Sequence, residues 1–320
     1  MIYLKGELTV FVTGVAGFIG SHLAERLVQH YNVIGIDCFT EYYSHKIKES
    51  NIAALMKNEN FKLIRNDLVR INPKMLDGVE LVFHEAAQPG VIASWDQNFK
   101  TYVRNNILVT QKLLEVCLDS DIRKFVFASS SSVYGDVTEL PVQENALPKP
   151  FSPYGVTKLA AENLCYLYWK NYGLPTISLR YFTVYGPRQR PDMAISRFID
   201  AILNNREVRV YGKGNQTRDF TYVSDIVNAN ILAANNSAKG EVFNIGGGST
   251  ISIIDLISIL EKIIGKKAKV IFGPTQKGDV RNTWADVKKA ATILGYIPQV
   301  EIEDGLKKQV EWTLRCSVQT

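Results

Sequence analysis

Apolar and polar positions follow two rhythms along this chain. Short β-branched runs stand at LTVFVT (8–13), VIGI (33–36), FKLI (61–64), ELVFH (80–84), RKFVFAS (123–129) and TISLRY (176–181). Between several of them apolar residues recur at helical spacing, as in SHLAERLVQH (21–30) and NILVTQKLLEVCL (106–118). Strands alternating with helices imply βαβ units and right-handed crossovers. The expected fold is α/β, a doubly wound parallel sheet. Beyond Tyr181 the rhythm changes. Helices are expected near 193–204, 223–235, 251–264 and 303–315, and short strands near 208–211, 241–245 and 269–272. This predicts a smaller mixed α/β cap. Residues 1–181, with returning segments near 219–246, would form the sheet domain; 182–218 and 247–320 would form the cap.

Composition narrows the class of protein. Of 320 residues, 46% are hydrophobic and 22% charged, as in an ordinary globular chain. The net charge of +5 is mild and its cations are scattered, which argues against a nucleic-acid groove and suits a small anionic substrate. No run approaches the roughly 18 apolar residues of a membrane helix. The opening MIYLKGELTVFVTG enters a strand pattern without the layout of a secretory leader. Cys38, Cys117, Cys165 and Cys316 lie far apart, and the four histidines share no ligand spacing. No metal is expected, and a reduced, cytoplasmic protein is the simplest reading.

Candidate chemistry lies at the ends of the strands. After the first strand, Gly14-Val15-Ala16-Gly17-Phe18-Ile19-Gly20 runs into a helix. Glycines in such a turn allow close approach of backbone to a pyrophosphate, which the helix N-terminus then faces with free N–H groups. Asp37 closes the second strand, where a carboxylate can hold both ribose hydroxyls and would repel a 2′-phosphate. No arginine follows it in Cys38-Phe39-Thr40, so NAD is favoured over NADP. Asp67, after the third strand, reads equally as an adenine contact or as a solvated loop residue. The fifth strand ends in Ser129-Ser130-Ser131-Ser132.

Tyr-x-x-x-Lys occurs three times, at Tyr42/Lys46, Tyr154/Lys158 and Tyr166/Lys170. Ser152 can cap a helix and Pro153 suits its first turn, which puts Tyr154 and Lys158 on one face. Tyr42/Lys46 follows the second strand, far from the serines. Tyr166/Lys170 lies twelve residues further on, turned about 120° away. A phenol taking a proton from a substrate hydroxyl must ionise near neutrality. An ammonium at about 4 Å would favour the phenolate by about 4 kcal/mol at an effective dielectric near 20. Tyr154/Lys158 is therefore the expected catalytic pair.

Together these residues resemble the extended short-chain dehydrogenase/reductase family, over essentially the whole chain. The resemblance is carried by TGVAGFIGSH, Asp37, NDL (66–68), HEAAQPG (84–90), NNILVT (105–110), SSSSVYG, YGVTK, LRYFTVYGP, TRDFTYVSD, FNIGGG and TWAD. It implies a nucleotide-sugar enzyme holding NAD, with Tyr154, Lys158 and Ser130 catalytic. Around the dinucleotide it implies Gly14, Gly17, Phe18, Ile19, Gly20, Asp37, Asp67, Leu68, Ala86, Ala87, Gln88, Asn106, Tyr181 and Val184, besides Tyr154 and Lys158. Arg218 would match an arginine on the substrate diphosphate and Asp279 a ribose contact.

The serine motif lacks the acidic residue of the family's dehydratases and decarboxylases, and Thr183 departs from the R-Y-F-N of galactose-type epimerases. FTVYGPRQRPDMAISRFI resembles bacterial UDP-glucuronic acid 4-epimerases, which implies that Arg190 meets the C6 carboxylate, aided by Ser131, Ser132 and Thr183. An epimerase of UDP-glucose or its N-acetyl analogue, a decarboxylase, and a silent NAD-binding regulator are the alternatives. Ile92 and Gln276 stand where such enzymes carry arginine, with Lys277 or Arg281 placed to compensate, and Glu85 stands where an apolar residue is usual. Helices near 98–118 and 154–170 carry Leu113, Leu114, Leu159, Leu164, Leu167 and Trp169. The resemblance implies that they pair across a two-fold axis in a homodimer's four-helix bundle.

Overall fold

A computed structural model describes residues 8–317 of the chain. Residues 1–7, which carry half of the leader reading, lie outside the described residues. The first half runs β1 (Thr9–Thr13), α1 (Phe18–Leu27), β2 (Asn32–Asp37), α2 (His45–Ile52), β3 (Phe61–Arg65) and β4 (Val79–His84). It continues with α3 (Phe99–Tyr102), a π-helical stretch (Val103–Leu108), α4 (Val109–Leu118), β5 (Lys124–Ser130), α5 (Pro153–Tyr172) and β6 (Thr176–Tyr181). The second half holds β7 (Thr183–Tyr185), α6 (Ala194–Leu203), β8 (Glu207–Tyr211), β9 (Thr217–Arg218), β10 (Phe220–Tyr222) and α7 (Val223–Ala234). Then come β11 (Glu241–Ile245), β12 (Ile251–Ser252), α8 (Ile253–Ile264), β13 (Lys269–Gly273), α9 (Lys288–Leu294) and α10 (Ile302–Ser317).

Seven strands form one parallel sheet in the order β11-β6-β5-β4-β1-β2-β3. Every residue of β5 and β6 is buried, as the apolar runs require of strands covered on both faces. Strand order reverses beside β1, which pairs with β2 on one side and β4 on the other. Crossovers therefore leave in opposite directions there and open a crevice at the carboxyl ends of the strands. Gly14, Asp37, Glu85 and Tyr181 stand at or just beyond those ends, and Ser130 closes β5. β11 returns to the sheet edge, while β8 and β13 pair parallel in the cap.

Small strands that the periodicity did not disclose, β7, β9, β10 and β12, are two or three residues long and pair only with one another, β7 with β10 and β9 with β12. The expected single helix over 98–118 is broken by the π-helical stretch. Its extra residue rotates the helix so that Asn106 turns inward and is buried. Leu113 and Leu114 lie wholly under the sheet-side core, so neither is free to meet a partner, contrary to expectation.

Candidate functional site

The glycine turn is shaped by what it must let pass. Gly14 has φ +66°, and a Cβ there would lie 2.8 Å from Ala86 Cα; one on Gly20 would lie 2.3 Å from the Gly14 carbonyl oxygen. Only glycine permits both the left-handed turn and the close seating of α1. The cleft that opens here is lined by Gly14, Gly17, Phe18, Ile19, Gly20, Asp37, Asp67, Leu68, Glu85, Ala86 and Ala87. Ser129, Tyr154, Lys158, Tyr181 and Arg190 line it too. It runs from the end of β2 to the N-terminal turn of α5.

At the β2 end, Asp37 accepts hydrogen bonds from the N–H groups of Ala16 (3.1 Å) and Phe39 (2.7 Å). Burial pushes its carboxyl up, and these bonds and the Lys48 charge pull it back. Two cations missed in the sequence stand nearby. Arg65 lies beside Asp37 in the sheet register but is held bidentately by Glu49, and Lys48 donates to Thr40 O. Asp67 caps the turn at Leu68 by accepting from Val69 N and pairs with Arg104 at 2.6 Å.

The middle of the cleft rests on a buried chain of hydrogen bonds. Ala86 N donates to Thr13 Oγ1, whose hydroxyl is left to donate to His84 Nδ1 (2.8 Å). The imidazole proton is then on Nε2 and goes to Thr110 Oγ1 (2.9 Å), and that hydroxyl donates to Asn106 O. Burial holds His84 neutral, its pKa down to about 3. Asn106 in turn clamps Gln88, accepting from its N–H (2.7 Å) and donating to its carbonyl (3.0 Å), and also donates to Thr157. Asn106 thus fixes the β4 loop to α5. The sequence signal was there, in a histidine ending a strand and threonines facing it, but spacing alone cannot join residues 71 positions apart.

At the far end, Ser152 caps α5 by accepting from Gly155 N (3.1 Å), and Pro153 opens the helix. Tyr154 faces the cleft, edge-on to Tyr102 with ring centroids 6.3 Å apart. Ser130, capping the turn Ser131–Val133, hydrogen bonds to the Tyr154 hydroxyl. Lys158, expected to ionise this phenol, lines the same cleft. The Lys158 ammonium donates to Ala128 O (2.6 Å), and burial draws its pKa down to about 8. Burial raises the Tyr154 pKa; the Ser130 hydrogen bond, then the Arg190 charge, lower it. The cation facing the phenol in the folded chain is Arg190.

Arg190 is itself partnered. Its Nε and Nη2 donate to Asp192 at 2.9 and 3.0 Å, and Tyr42 donates to the same carboxylate at 3.2 Å. Arg188 points elsewhere, to Glu25 on α1. Ser131 and Ser132 are half-buried in the turn beside Ser130, and Thr183 begins β7, donating its N–H to Asp219 O. Val184 is buried in β7. Arg218 and Asp279 are joined to each other at 2.6 Å, and Arg218 also donates to the carbonyls of Thr217, Val280 and Arg281. A second cleft holds Asp279 with Trp95, Phe99, Gln276, Lys277 and Arg281, next to Ser152. Among the described residues no group of three His, Cys, Asp or Glu could hold a metal.

A glycine turn at the switch point of a parallel sheet, with a hydroxyl, a phenol and an ammonium at the far end of one cleft, defines a dinucleotide-dependent enzyme of the Rossmann type. Comparison with known proteins narrows this. The chain belongs to the NAD dependent epimerase/dehydratase family, whose model matches residues 10–246. It is 43% identical over 309 residues to YtcB of Bacillus subtilis, described as an uncharacterized UDP-glucose epimerase, covering 95% of this chain and 98% of that one. It is 41% identical over 308 residues to a UDP-glucuronate 4-epimerase of Thermodesulfobacterium geofontis, covering 94% and 95%. The crystal structure of UDP-glucuronic acid 4-epimerase from Bacillus cereus, in complex with UDP-glucuronic acid and NAD, superposes with a TM-score of 0.94 at 46% identity. That match covers 97% of this chain and 100% of the other.

Proposed function

We propose that this protein is an NAD-dependent UDP-sugar 4-epimerase interconverting UDP-glucuronic acid and UDP-galacturonic acid. One observation carries the reading: a cleft floored by Gly14 and Asp37 ends at Tyr154, with Ser130 and Arg190 beside its hydroxyl. The cleft fits a dinucleotide, because its floor at Gly14 is bare backbone packed directly on Ala86, with no side chain to fill it, and Asp37 lines it at the end of β2. Gly14, Gly17 and Gly20 would hold the pyrophosphate, Asp37 the adenosine ribose, and Lys158, Tyr181 and Asn106 the nicotinamide end. When bound, NAD would supply the hydride acceptor and donor for C4. Tyr154 takes the 4-hydroxyl proton and later gives it back, with Ser130 holding both the phenol and the sugar oxygen. Lys277 and Arg281 in the second cleft supply cations for the diphosphate, where Gln276 offers none.

Sugar choice rests on Arg190. A 4-keto uronic acid is a β-keto acid and loses carbon dioxide when its carboxylate stands perpendicular to the ketone. Arg190, Ser131, Ser132 and Thr183 hold that carboxylate and prevent the loss. The Arg190–Asp192 pair favours a second reading, a neutral UDP-hexose, since it leaves the site with less net charge. Incubating the protein with UDP-glucuronic acid, UDP-glucose and UDP-N-acetylglucosamine in turn, followed by NMR, decides between them. The reading stands if UDP-galacturonic acid forms fastest and without carbon dioxide, and is lost if only the neutral sugars turn over.

We also read the chain as a homodimer. Phe99, Val103 and Leu108 before α4, and Val156, Tyr166 and Leu167 on α5, expose apolar side chains on neighbouring helices. No described helix is long and apolar enough to cross a membrane. The four cysteines are free thiols, which supports a reducing, cytoplasmic setting.

A further inference from the structure

Glu85 has no part in the chemistry above, yet its side chain lines the same cleft as Tyr154 and Lys158. It follows His84 at the end of β4, on a backbone pinned by the Ala86–Thr13 hydrogen bond. Tyr181 donates its hydroxyl to Glu85 Oε1 at 2.8 Å. The direction is fixed from behind, because buried Asn230 donates its amide to the Tyr181 oxygen at 2.6 Å. Two residues from β6 and α7 are thus arranged to present a carboxylate, as an acceptor, to the reactive end of the cleft. A carboxylate so placed disfavours nothing neutral but attracts a positive ring.

We propose that Glu85 sets the redox balance of the bound cofactor, its carboxylate favouring the positively charged oxidised nicotinamide over the neutral reduced one. The proposal builds on the epimerase reading and gives it a further property. Hydride returns readily to the sugar, and the oxidised sugar stands only briefly in the site. The groups that face Glu85 are Tyr181 from β6 and Lys158 from α5; His84, held neutral, faces Lys158 from the same strand. Burial raises the Glu85 carboxyl to about 7, against the lowering effects of the Tyr181 hydrogen bond and the Lys158 charge. A bound positive ring draws the proton off, so preference for NAD over NADH rises as pH rises through 7. Lys158, at about 8, adds a slope of the same sign at higher pH, and the Glu85 charge helps to hold it there by raising the Lys158 pKa against burial.

The test needs no sugar, so it fails separately from the epimerase reading. The full chain is equilibrated with defined NAD and NADH mixtures, freed of unbound nucleotide and denatured, and the released nucleotides are counted by chromatography. Wild type should favour NAD increasingly between about pH 6 and pH 7.5. Glu85→Gln should lose that slope and about tenfold of the preference at pH 8, and Glu85→Asp should keep most of both. Equal preference in wild type and Glu85→Gln would overturn the proposal. So would a flat wild-type series, which requires no variant to fold.

Discussion

Replacing Arg190 by alanine should remove the enzyme's preference for a uronic acid, on top of a smaller loss shared by both sugars as the charge that lowers the Tyr154 pKa goes. A guanidinium has five N–H donors. Two of them, on Nε and Nη2, are engaged by Asp192, which leaves three, including both on Nη1. Two charge-assisted bonds to a carboxylate contribute about 1.5–3 kcal/mol each. Asp192 shares the charge and the side chain keeps 18% exposure, so one such bond is the safer measure. That corresponds to roughly 10- to 150-fold in kcat/KM for UDP-glucuronic acid. Steady-state kinetics on UDP-glucuronic acid and UDP-glucose with the same preparation give the ratio directly. Asp192→Asn should move it the other way, lowering KM for the uronic acid by freeing the whole guanidinium charge. Equal losses on both sugars, or none on either, would show that Arg190 does not meet the C6 carboxylate.

Other outcomes follow from the same geometry. Ser130→Ala removes a hydrogen bond that favours the Tyr154 phenolate, so the acidic limb of the pH–rate profile should move to higher pH and activity at pH 7 should fall. Glu162→Gln leaves Arg180, 4% exposed, without its ion partner and should destabilise the fold by about 3–5 kcal/mol in denaturant titrations. Gly14→Ala forces a Cβ onto Ala86 at positive φ and should weaken nucleotide binding, with about 1–3 kcal/mol of strain read by calorimetry. Leu108→Glu places a charge on the exposed apolar face and should give a monomer by light scattering if that face is the dimer contact.

The sheet was legible because its strands are continuous apolar runs separated by helical spacing, and every run placed before Tyr181 became a strand of the seven. Strands of two or three residues, such as β9 and β12, have no room to show a period, so the small paired ribbons were not. The Tyr154 position was readable from a capping serine and a proline, both local signals. What Lys158 touches was not. Its partner Ala128 lies 30 residues away on β5, and only the packing of α5 on the sheet makes the Ala128 carbonyl, rather than the phenol, its hydrogen-bond acceptor. Arg190 as the cation near Tyr154 and Glu85 as a partner of Tyr181 are likewise products of the ends of β4 and β6, the first turn of α5 and the loop after β7 meeting at one cleft. Sequence distance hides such meetings.

Proton transfer at C4 through the Tyr154 hydroxyl is the central claim, and Tyr154→Phe tests it with the loss of one oxygen atom. Turnover of UDP-glucuronic acid, followed by NMR alongside the melting temperature and the amount of nucleotide carried, should fall about 10²- to 10⁴-fold while the other two hold. Turnover within a few-fold of wild type, by a protein that still carries its nucleotide, would contradict the account.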